Sequence, residues 1–279
     1  MHKNLEIYNQ EGKTINEDIN LQAIGVVNTD IDDPLEMPMG GKLARVDIFP
    51  AYQQALLRIE ENSHLWLLLW FHKSNRNILS TRPVRVNPDL PEYGVFSLRA
   101  YNRPNPIGLT KVKLEKVEGN FLWVSGLDAI NGTPVLDIKP YYESDIVFSP
   151  RTPYIRPYNR QMRLQHFHRH ALTYHQEECN DLLTGVRMVM EADEYLGQVT
   201  EPDVIVTVYG SRCLADTIQG LTLARLANPT RFIFIESDEK LQSQWTKGEH
   251  SLILTSRQHF NQENFWDVEN KELLKIEYK

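Results

Sequence analysis

The stretch LTKVKLEKVEGNFLWVSGL, residues 109–127, decides the fold of the first half of the chain. Charged and apolar residues alternate over residues 111–118, and this period of two predicts a β-strand with one buried face. Residues 118–120, with the sequence EGN, then form a turn signal ahead of the apolar segment 121–127. The stretch therefore predicts an antiparallel hairpin with a short turn.

Short apolar segments of the same kind precede this hairpin, at residues 21–27, 44–49, 64–71 and 93–98. Only residues 52–62 have the spacing of a helix in this half of the chain. Many short strands with few helices are typical of a β-barrel or a β-sandwich.

The pattern of short apolar strands ends at residues 149–160, SPRTPYIRPYNR. Its three prolines restrict themselves and the residues before them, which predicts an extended linker. Before it we expect a polar lead-in, residues 1–20, and a β-domain, residues 21–148. Helix and strand patterns alternate in residues 161–279, which predicts an α+β domain. Its predicted helices are 181–196 and 215–227, and its predicted strands are 204–210, 231–236 and 251–256.

Composition and charge narrow the class of protein. A chain of 279 residues with 41% hydrophobic and 24% charged residues is an ordinary globular protein with room for two domains. Its net charge of −7 argues against nucleic-acid binding by bulk charge alone. Two cysteines are too few for a disulfide scaffold, so we expect a cytoplasmic protein. The longest apolar run, residues 65–71, is too short to span a bilayer, so we expect no membrane partner.

Basic residues are concentrated between residues 73 and 113, although the protein as a whole is acidic. A cluster of this kind is either a solvated face or a site for phosphate and carboxylate groups. The cluster comprises Lys73, Arg76, Arg82, Arg85, Arg99, Arg103, Lys111 and Lys113.

Three segments carry more polar and rigid residues than a scaffold needs: SHLWLLLWFH at 63–72, RAYNRPNPIGLT at 99–110, and DAINGTPVLDIKPY at 128–141. The second segment has two prolines that stiffen a corner between two arginines, which favours a ligand-binding loop over a structural corner. In the third segment, Asp137 and Lys139 share one face of a strand. They either form a salt bridge or present an acid and a base to a ligand.

Together these segments resemble the TsaA-like β-barrel methyltransferases, the tRNA N6-threonylcarbamoyladenosine methyltransferase family. The motifs SHLWLLLWFH, RPNPIGLT and NGTPVLDIKPY stand in the order and spacing of that family. The resemblance implies an antiparallel barrel, S-adenosylmethionine (SAM) as cofactor, tRNA as partner and a homodimer with SAM near the subunit interface. The absence of a Gly-rich strand–turn–helix fingerprint agrees with a SAM site that is not built on a Rossmann sheet.

The resemblance also implies which residues act. The expected SAM contacts are Pro38, Met39, Gly40, His72, Lys73, Arg99, Leu109, Asp128, Ala129, Ile130, Asn131 and Gly132. If a proton must leave the acceptor, the candidates for a general base are Asp137, His72 and Tyr141. The expected substrate contacts are Arg103, Asn105 and Lys139.

The chain departs from the family pattern at the Pro38-Met39-Gly40 turn, before the proline corner, and after Tyr141. These changes affect the substrate pocket more than the SAM contacts. Two alternatives to tRNA methylation therefore stay open. One is methylation of a small-molecule acceptor, a thiol or a metal-bound group, and the other is a SAM-binding sensor without catalysis.

The second domain weakly resembles the E-type component of formylmethanofuran dehydrogenase. His175 and Cys179 match a His-and-Cys segment of that family, with Glu177 in place of its second histidine, and residues 212–219 match an Arg-Cys-x-x-Asp-x-Ile-Gln segment. Imidazole and thiolate both bind zinc. The resemblance thus implies a zinc site at His175 and Cys179, and the alternative is a domain used for dimerisation or for positioning the substrate.

Overall fold

The computed structural model describes residues 7–8, 14–15 and 20–278. The chain divides into two compact units, one of Met1–Thr81 with Tyr93–Ile146 and the other of Arg82–Glu92 with Val147–Lys279. Most of the polar lead-in, residues 1–20, lies outside the described residues. Among the helices of the described residues, none combines the length and the apolar composition needed to cross a bilayer.

The first unit is built from strands and short turns. Its strands are β1 (Ile7–Tyr8), β2 (Thr14–Ile15), β3 (Gly25–Asn28), β4 (Lys42–Ile48), β5 (His64–Trp70), β6 (Ser80–Thr81), β7 (Tyr93–Gly94), β8 (Ile107–Glu118), β9 (Phe121–Leu127) and β10 (Pro134–Pro140). Six of them close into an antiparallel barrel in the order β10-β3-β4-β9-β8-β5. The predicted antiparallel β-barrel is therefore confirmed.

Apolar side chains at every second position of the strands fill the inside of the barrel. Val46, Leu67, Leu122 and Val124 are fully buried there, because they belong to the apolar half of each period-two pattern. The predicted hairpin is confirmed as β8 and β9, which are joined at Gly119 with a φ of +62°. Glycine adopts this left-handed conformation without the steric cost that a side chain brings.

The helix predicted over residues 52–62 is wrong. Two 3₁₀ helices, Pro50–Leu56 and Ile59–Glu61, stand there instead. Leu57 is not helical, with a ψ of 119°, and Arg58 is left-handed, with a φ of 65°. Because Leu56 is the only buried residue of the two helices, no continuous apolar face stabilises a longer helix.

The second unit is an α+β structure, as predicted. Its helices are α1 (Arg160–His175), α2 (Asn180–Leu196), α3 (Arg212–Thr222) and α4 (Asn270–Leu273). Its strands are β11 (Ile205–Gly210), β12 (Phe232–Glu236), β13 (Gln242–Lys247), β14 (His250–Ser256) and β15 (Leu274–Tyr278), in the sheet order β12-β11-β13-β14-β15. The pair β11–β12 is parallel, and the other neighbours are antiparallel. The pattern did not predict α1, β13 or β15.

A buried arginine lies in the core of this unit. The side chain of Arg187 on α2 is fully buried, and it donates from Nε to Asn270 Oδ1 at 2.6 Å and from Nη1 to Phe265 O at 2.6 Å. A third donor, Nη2, bonds to Val268 O. Burial lowers the pKa of Arg187 to about 10, so the group stays charged at neutral pH. One side chain thereby fixes the loop before β15 to α2.

A short segment of the chain between two barrel strands belongs to the second unit. This segment, Arg82–Glu92, leaves after β6 and returns at β7. Within the second unit, Asn87 Nδ2 donates to Arg156 O at 3.1 Å, and Tyr158 N donates to Val86 O at 2.9 Å.

Candidate functional site

The loops predicted to bind a ligand meet at one end of the barrel. Because neighbouring strands are antiparallel, β3, β5 and β9 end there and β4, β8 and β10 begin there. The segments that meet at this end, which we name the loop rim, are residues 29–41, 71–79, 95–106 and 128–133.

Hydrogen bonds connect the 29–41 segment and the end of β3 to two other segments of the loop rim. Lys73 Nζ donates to Asp32 O at 2.8 Å, which ties the end of β5 to the segment after β3. Asn131 N donates to Ile31 O at 2.7 Å, and Gly132 N donates to the end of β3. The predicted cofactor residues at 72–73 and 128–132 therefore both contact the 29–41 segment or its flanking strand.

The turn at residues 38–40 lies against the end of β9. Gly41 N donates to Pro38 O at 3.0 Å, and Gly41 has a φ of +71°. A Cβ atom at Gly41 would lie 2.4 Å from the backbone carbon of Leu127, which is closer than van der Waals contact permits. Only glycine fits at this position, and the close approach sets the turn beside the strand that carries Asp128.

Asp128 is exposed and held in place on one side. Thr110 Oγ1 on β8 donates to Asp128 Oδ1 at 2.5 Å. The next two residues, Ala129 and Ile130, are buried and anchor the turn. Leu109 precedes Thr110 on β8, and 47% of its surface is exposed, so the site has an apolar surface as well as a carboxylate.

The proline corner is bonded to the segment that carries His72 and Lys73. Ser74 Oγ donates to Tyr101 O at 2.7 Å, and Arg76 Nε donates to Pro104 O at 2.8 Å. These bonds make residues 71–76 and 101–106 one rigid layer of the rim.

Several side chains of the basic cluster already form hydrogen bonds within the protein. Arg103 donates to Ala100 O, Val95 O and Leu98 O at 2.7, 2.8 and 2.5 Å, which fixes the loop around it. Arg99 is exposed, and no polar contact of its side chain is found among residues 20–278. Asn105 is exposed too, and its carbonyl accepts from Ile107 N at 2.7 Å. Arg99 is thus available to a ligand, whereas the guanidinium of Arg103 already has three acceptors.

His72 is the imidazole of the loop rim. Desolvation lowers the pKa of His72, and the nearby charge of Lys73 lowers it further. The ring is therefore neutral at pH 7 and able to accept a proton.

The structure does not bring Asp137, Lys139 and Tyr141 to the loop rim. Tyr141 N donates to His64 O at the start of β5, whereas His72 follows the end of the same strand. At about 3.3 Å per residue, Tyr141 and His72 lie roughly 25 Å apart. Asp137 and Lys139 lie between these ends, opposite Leu68 and Trp66 of β5. Lys139 Nζ pairs with Asp137 Oδ2 at 2.8 Å, so of the two interpretations of this pair the structure has the salt bridge.

The second unit holds a separate cluster of possible metal ligands. One ligand atom each of His175, Cys179 and Cys213 lies within 4.8 Å of the others. His175 Nδ1 is 2.8 Å from Asp216 Oδ2, and its Nε2 is 3.5 Å from Cys179 Sγ. Glu177 is exposed and is not part of this cluster.

Sequence reasoning missed Cys213, Asp216 and Thr110. The first two stand in the 212–219 segment that carries the resemblance of the second domain, so a signal was present. Thr110 lies in a strand whose residues alternate between buried and exposed. Its position in this pattern does not show that its hydroxyl orients a site residue.

Comparison with known proteins gives two matching families. The tRNA-methyltransferase O N-terminal domain matches residues 26–145. A family described as "FmdE, Molybdenum formylmethanofuran dehydrogenase operon" matches residues 159–265.

Individual relatives agree with these matches. A probable S-adenosyl-L-methionine-binding protein of Archaeoglobus fulgidus is 34% identical over 75% of this chain and 60% of its own length. A tRNA (adenine(37)-N6)-methyltransferase of Rattus norvegicus is 46% identical over 39% of this chain and 26% of its own length. The chain thus spans less than two thirds of either relative.

A third relative is matched over nearly its whole length. This probable S-adenosyl-L-methionine-binding protein of Methanothermobacter thermautotrophicus is 40% identical over 45% of this chain and 92% of its own length. With this match, the domain match at residues 26–145 and the closed six-stranded barrel, the chain belongs to the TsaA-like β-barrel methyltransferase family.

Proposed function

We propose that the chain is a SAM-dependent methyltransferase that methylates N6 of adenine in tRNA. The finer proposal is that the acceptor is threonylcarbamoyladenosine beside the anticodon. One observation gives the methyltransferase proposal its best support. Residues 38–40, 72–73 and 128–132, which the family resemblance implies as SAM contacts, come together at the loop rim. The names of the relatives, SAM-binding proteins and a tRNA methyltransferase, support the same activity.

The residues of the loop rim fit the parts of SAM. Thr110 holds one oxygen of Asp128, and the other is available to accept from the ribose hydroxyls. Leu109 offers an exposed apolar surface for the adenine. Arg99 is free to bind the carboxylate of the methionine part through paired N–H donors.

Methyl transfer from SAM depends on placing the acceptor atom in line with the methyl group and needs no covalent intermediate with the protein. When bound, SAM supplies a methyl group on a positive sulfur, and the electrons of the broken carbon–sulfur bond stay on that sulfur. The rigid layer at residues 71–76 and 101–106 keeps the rim in one geometry, which favours in-line attack. We assign His72 to accept the proton that leaves the acceptor nitrogen. Tyr141 lies at the far end of β5 and Asp137 lies midway along it, opposite Leu68, so we assign neither of them this role within one chain.

A radioactive methyl-transfer assay tests the activity. We expect label to move from SAM to bulk tRNA, and we expect His72→Ala to lower the rate by about 10²-fold because a general base is lost. His64→Ala is the matched control, since it removes the same side chain from the opposite end of β5. Equal rates for the two variants would contradict the role of His72. Transfer to small molecules but not to tRNA would instead support the small-molecule acceptor.

A homodimer and a cytoplasmic location belong to the same proposal, because the family resemblance implies the first and a tRNA acceptor the second. Exposed apolar side chains on the outside of the barrel support a homodimer. Ile107 is paired with Trp70 and Leu109 with Leu68, and both β8 residues are at least 36% exposed. Apolar surface of this kind is typical of subunit contacts.

We also propose that the second unit binds zinc through His175, Cys179 and Cys213. An imidazole nitrogen and two thiolates are a donor set that zinc prefers, and three protein ligands leave one position open. Asp216 bonds the other ring nitrogen of His175 and would fix its tautomer and orientation.

Titration of the full-length protein with Co²⁺ and Zn²⁺ tests this site. We expect Co²⁺ to give thiolate-to-metal charge-transfer absorption that zinc removes. Cys213→Ser should abolish this absorption or weaken it strongly, and Asp216→Asn should lower metal affinity by about 10- to 100-fold, the usual effect of an outer-shell partner. Wild-type protein that binds neither ion would refute the site. The methyl-transfer assay is independent of this result.

A further inference from the structure

The two cysteines of the chain come together in the second unit. Cys179 caps the N-terminus of α2, and Cys213 lies in the first turn of α3. Their Sγ atoms lie within 4.8 Å of each other, because the two helices pack closely at Gly185 and Thr217. Packing of two helices therefore pairs two free thiols that are distant in the sequence.

A shallow cleft gives small molecules access to one of these thiols. Both cysteines are half-buried, but Cys179 also lines a cleft with a volume of about 280 Å³. Cys213 does not line it. The cleft has the carboxylates of Glu178 and Glu263, and its lining, which lies within the described part of the chain, has no lysine or arginine. An acidic cleft of this kind repels anions, so it favours a small reagent without negative charge.

Zinc binding and a disulfide exclude each other at this pair. Zinc is held by the thiolate form of cysteine, and a sulfur atom in a disulfide is no longer a thiolate. Of the three ligands only His175 would then remain, and zinc sites have three or four protein ligands. Cysteine side chains turn about the Cα–Cβ bond, so the two sulfur atoms can close the gap between them to bonding distance.

We propose that Cys179 and Cys213 form a reversible disulfide by exchange with a small uncharged disulfide, and so release the zinc ion, a step that rests on the proposed zinc site. The thiolate of Cys179, reached through the cleft, attacks one sulfur of the reagent. The sulfur–sulfur bond of the reagent breaks, and its first half leaves as a thiolate.

The second step closes the bond within the protein. The thiolate of Cys213 attacks the sulfur of Cys179 and expels the second half of the reagent, also as a thiolate. Two electrons thus pass from the cysteines to the reagent, the two expelled thiolates take protons from water, and zinc leaves as Zn²⁺.

Treatment of the zinc-loaded, full-length protein with bis(2-hydroxyethyl) disulfide tests this proposal. We expect stoichiometric release of zinc, measured with a colorimetric chelator. The mass of the denatured chain should fall by two hydrogen atoms, and peptide mapping should find Cys179 joined to Cys213. Dithiothreitol should restore both the original mass and zinc binding.

Two single variants test the order of attack, with folding verified by circular dichroism. Cys213→Ser should stop at the mixed disulfide, so its mass should rise by one half of the reagent. Cys179→Ser should react at least tenfold more slowly than Cys213→Ser, because the remaining thiol does not line the cleft. Equal rates for the two variants would refute the route through the cleft.

The wild-type measurement separates failure of this proposal from failure of the zinc site. Zinc that binds and is retained in the presence of the reagent, or a stable reagent adduct on the wild-type chain, would overturn the disulfide and leave the zinc site standing. Zinc that never binds would refute the zinc site, and its release with it, even where the mass shows a disulfide.

Discussion

Replacing Asp128 by alanine will weaken SAM binding by about 10- to 150-fold, or roughly 1.5–3 kcal/mol, the range for losing hydrogen bonds to a charged group. The carboxylate is exposed at the loop rim with one oxygen fixed by Thr110, so its geometry is set before a ligand arrives. Preorganisation of this kind lowers the entropy cost of binding. Isothermal titration calorimetry with SAM measures the change.

The control for this variant is Glu118→Ala. Glu118 is an exposed carboxylate at the opposite end of the barrel, where Lys116 and Trp123 contact it. We expect its loss to leave SAM affinity within twofold of the wild type. If Asp128→Ala binds SAM as tightly as Glu118→Ala does, the loop rim is not the SAM site, and the proposed function loses its structural basis.

Replacing Arg187 by methionine will destabilise the protein by about 3–5 kcal/mol, because three buried acceptors lose their donor at once. Methionine preserves much of the volume, so the loss reports the hydrogen bonds to Phe265, Val268 and Asn270 more than a cavity. Urea unfolding followed by circular dichroism measures the free energy of unfolding.

Arg212→Met is the matched control for Arg187→Met. The side chain of Arg212 is 81% exposed, and its ion pair with Glu236 is of the solvent-screened kind that contributes little. We expect its substitution to change stability by less than about 1 kcal/mol. Similar midpoints for the two variants would show that Arg187 is not an anchor of the fold.

The barrel was predictable from the sequence because its strands have one buried face. The alternation at residues 109–127 survives in the structure as β8 and β9, and Gly119 occupies the turn between them. Local pattern was enough here, since burial on a barrel repeats every second residue.

Helix α1 was not predictable from apolar periodicity. Leu164 and Ala171 are its only buried residues, and histidines and arginines occupy half of the other positions. The helix begins instead at Asn159, whose side chain accepts from Gln161 N and Met162 N. A single cap is a weak signal when the apolar face is short.

The candidate sites were predictable only in part, because a sequence motif does not say which ends of which strands meet. His72 and Tyr141 both belong to the motifs of the resemblance, yet they lie at opposite ends of β5. Cys213 reaches Cys179 because α3 packs closely on α2: a Cβ at Gly185 would lie 2.9 Å from Thr217. Neither fact is local in sequence.

Because the segment Arg82–Glu92 belongs to the second unit, the two units cannot be separated by one cut in the chain. Because the polypeptide passes from one unit to the other after Thr81, returns at Tyr93 and passes again after Ile146, no single cut divides them. A fragment ending at residue 148 would keep Val86 and Asn87 but lose Tyr158 and Arg156, the partners of their hydrogen bonds. A recombination event at one junction would therefore leave residues 82–92 in the barrel fragment without the rest of the unit to which they belong. The chain connectivity thus prevents the two units from being exchanged as independent domains.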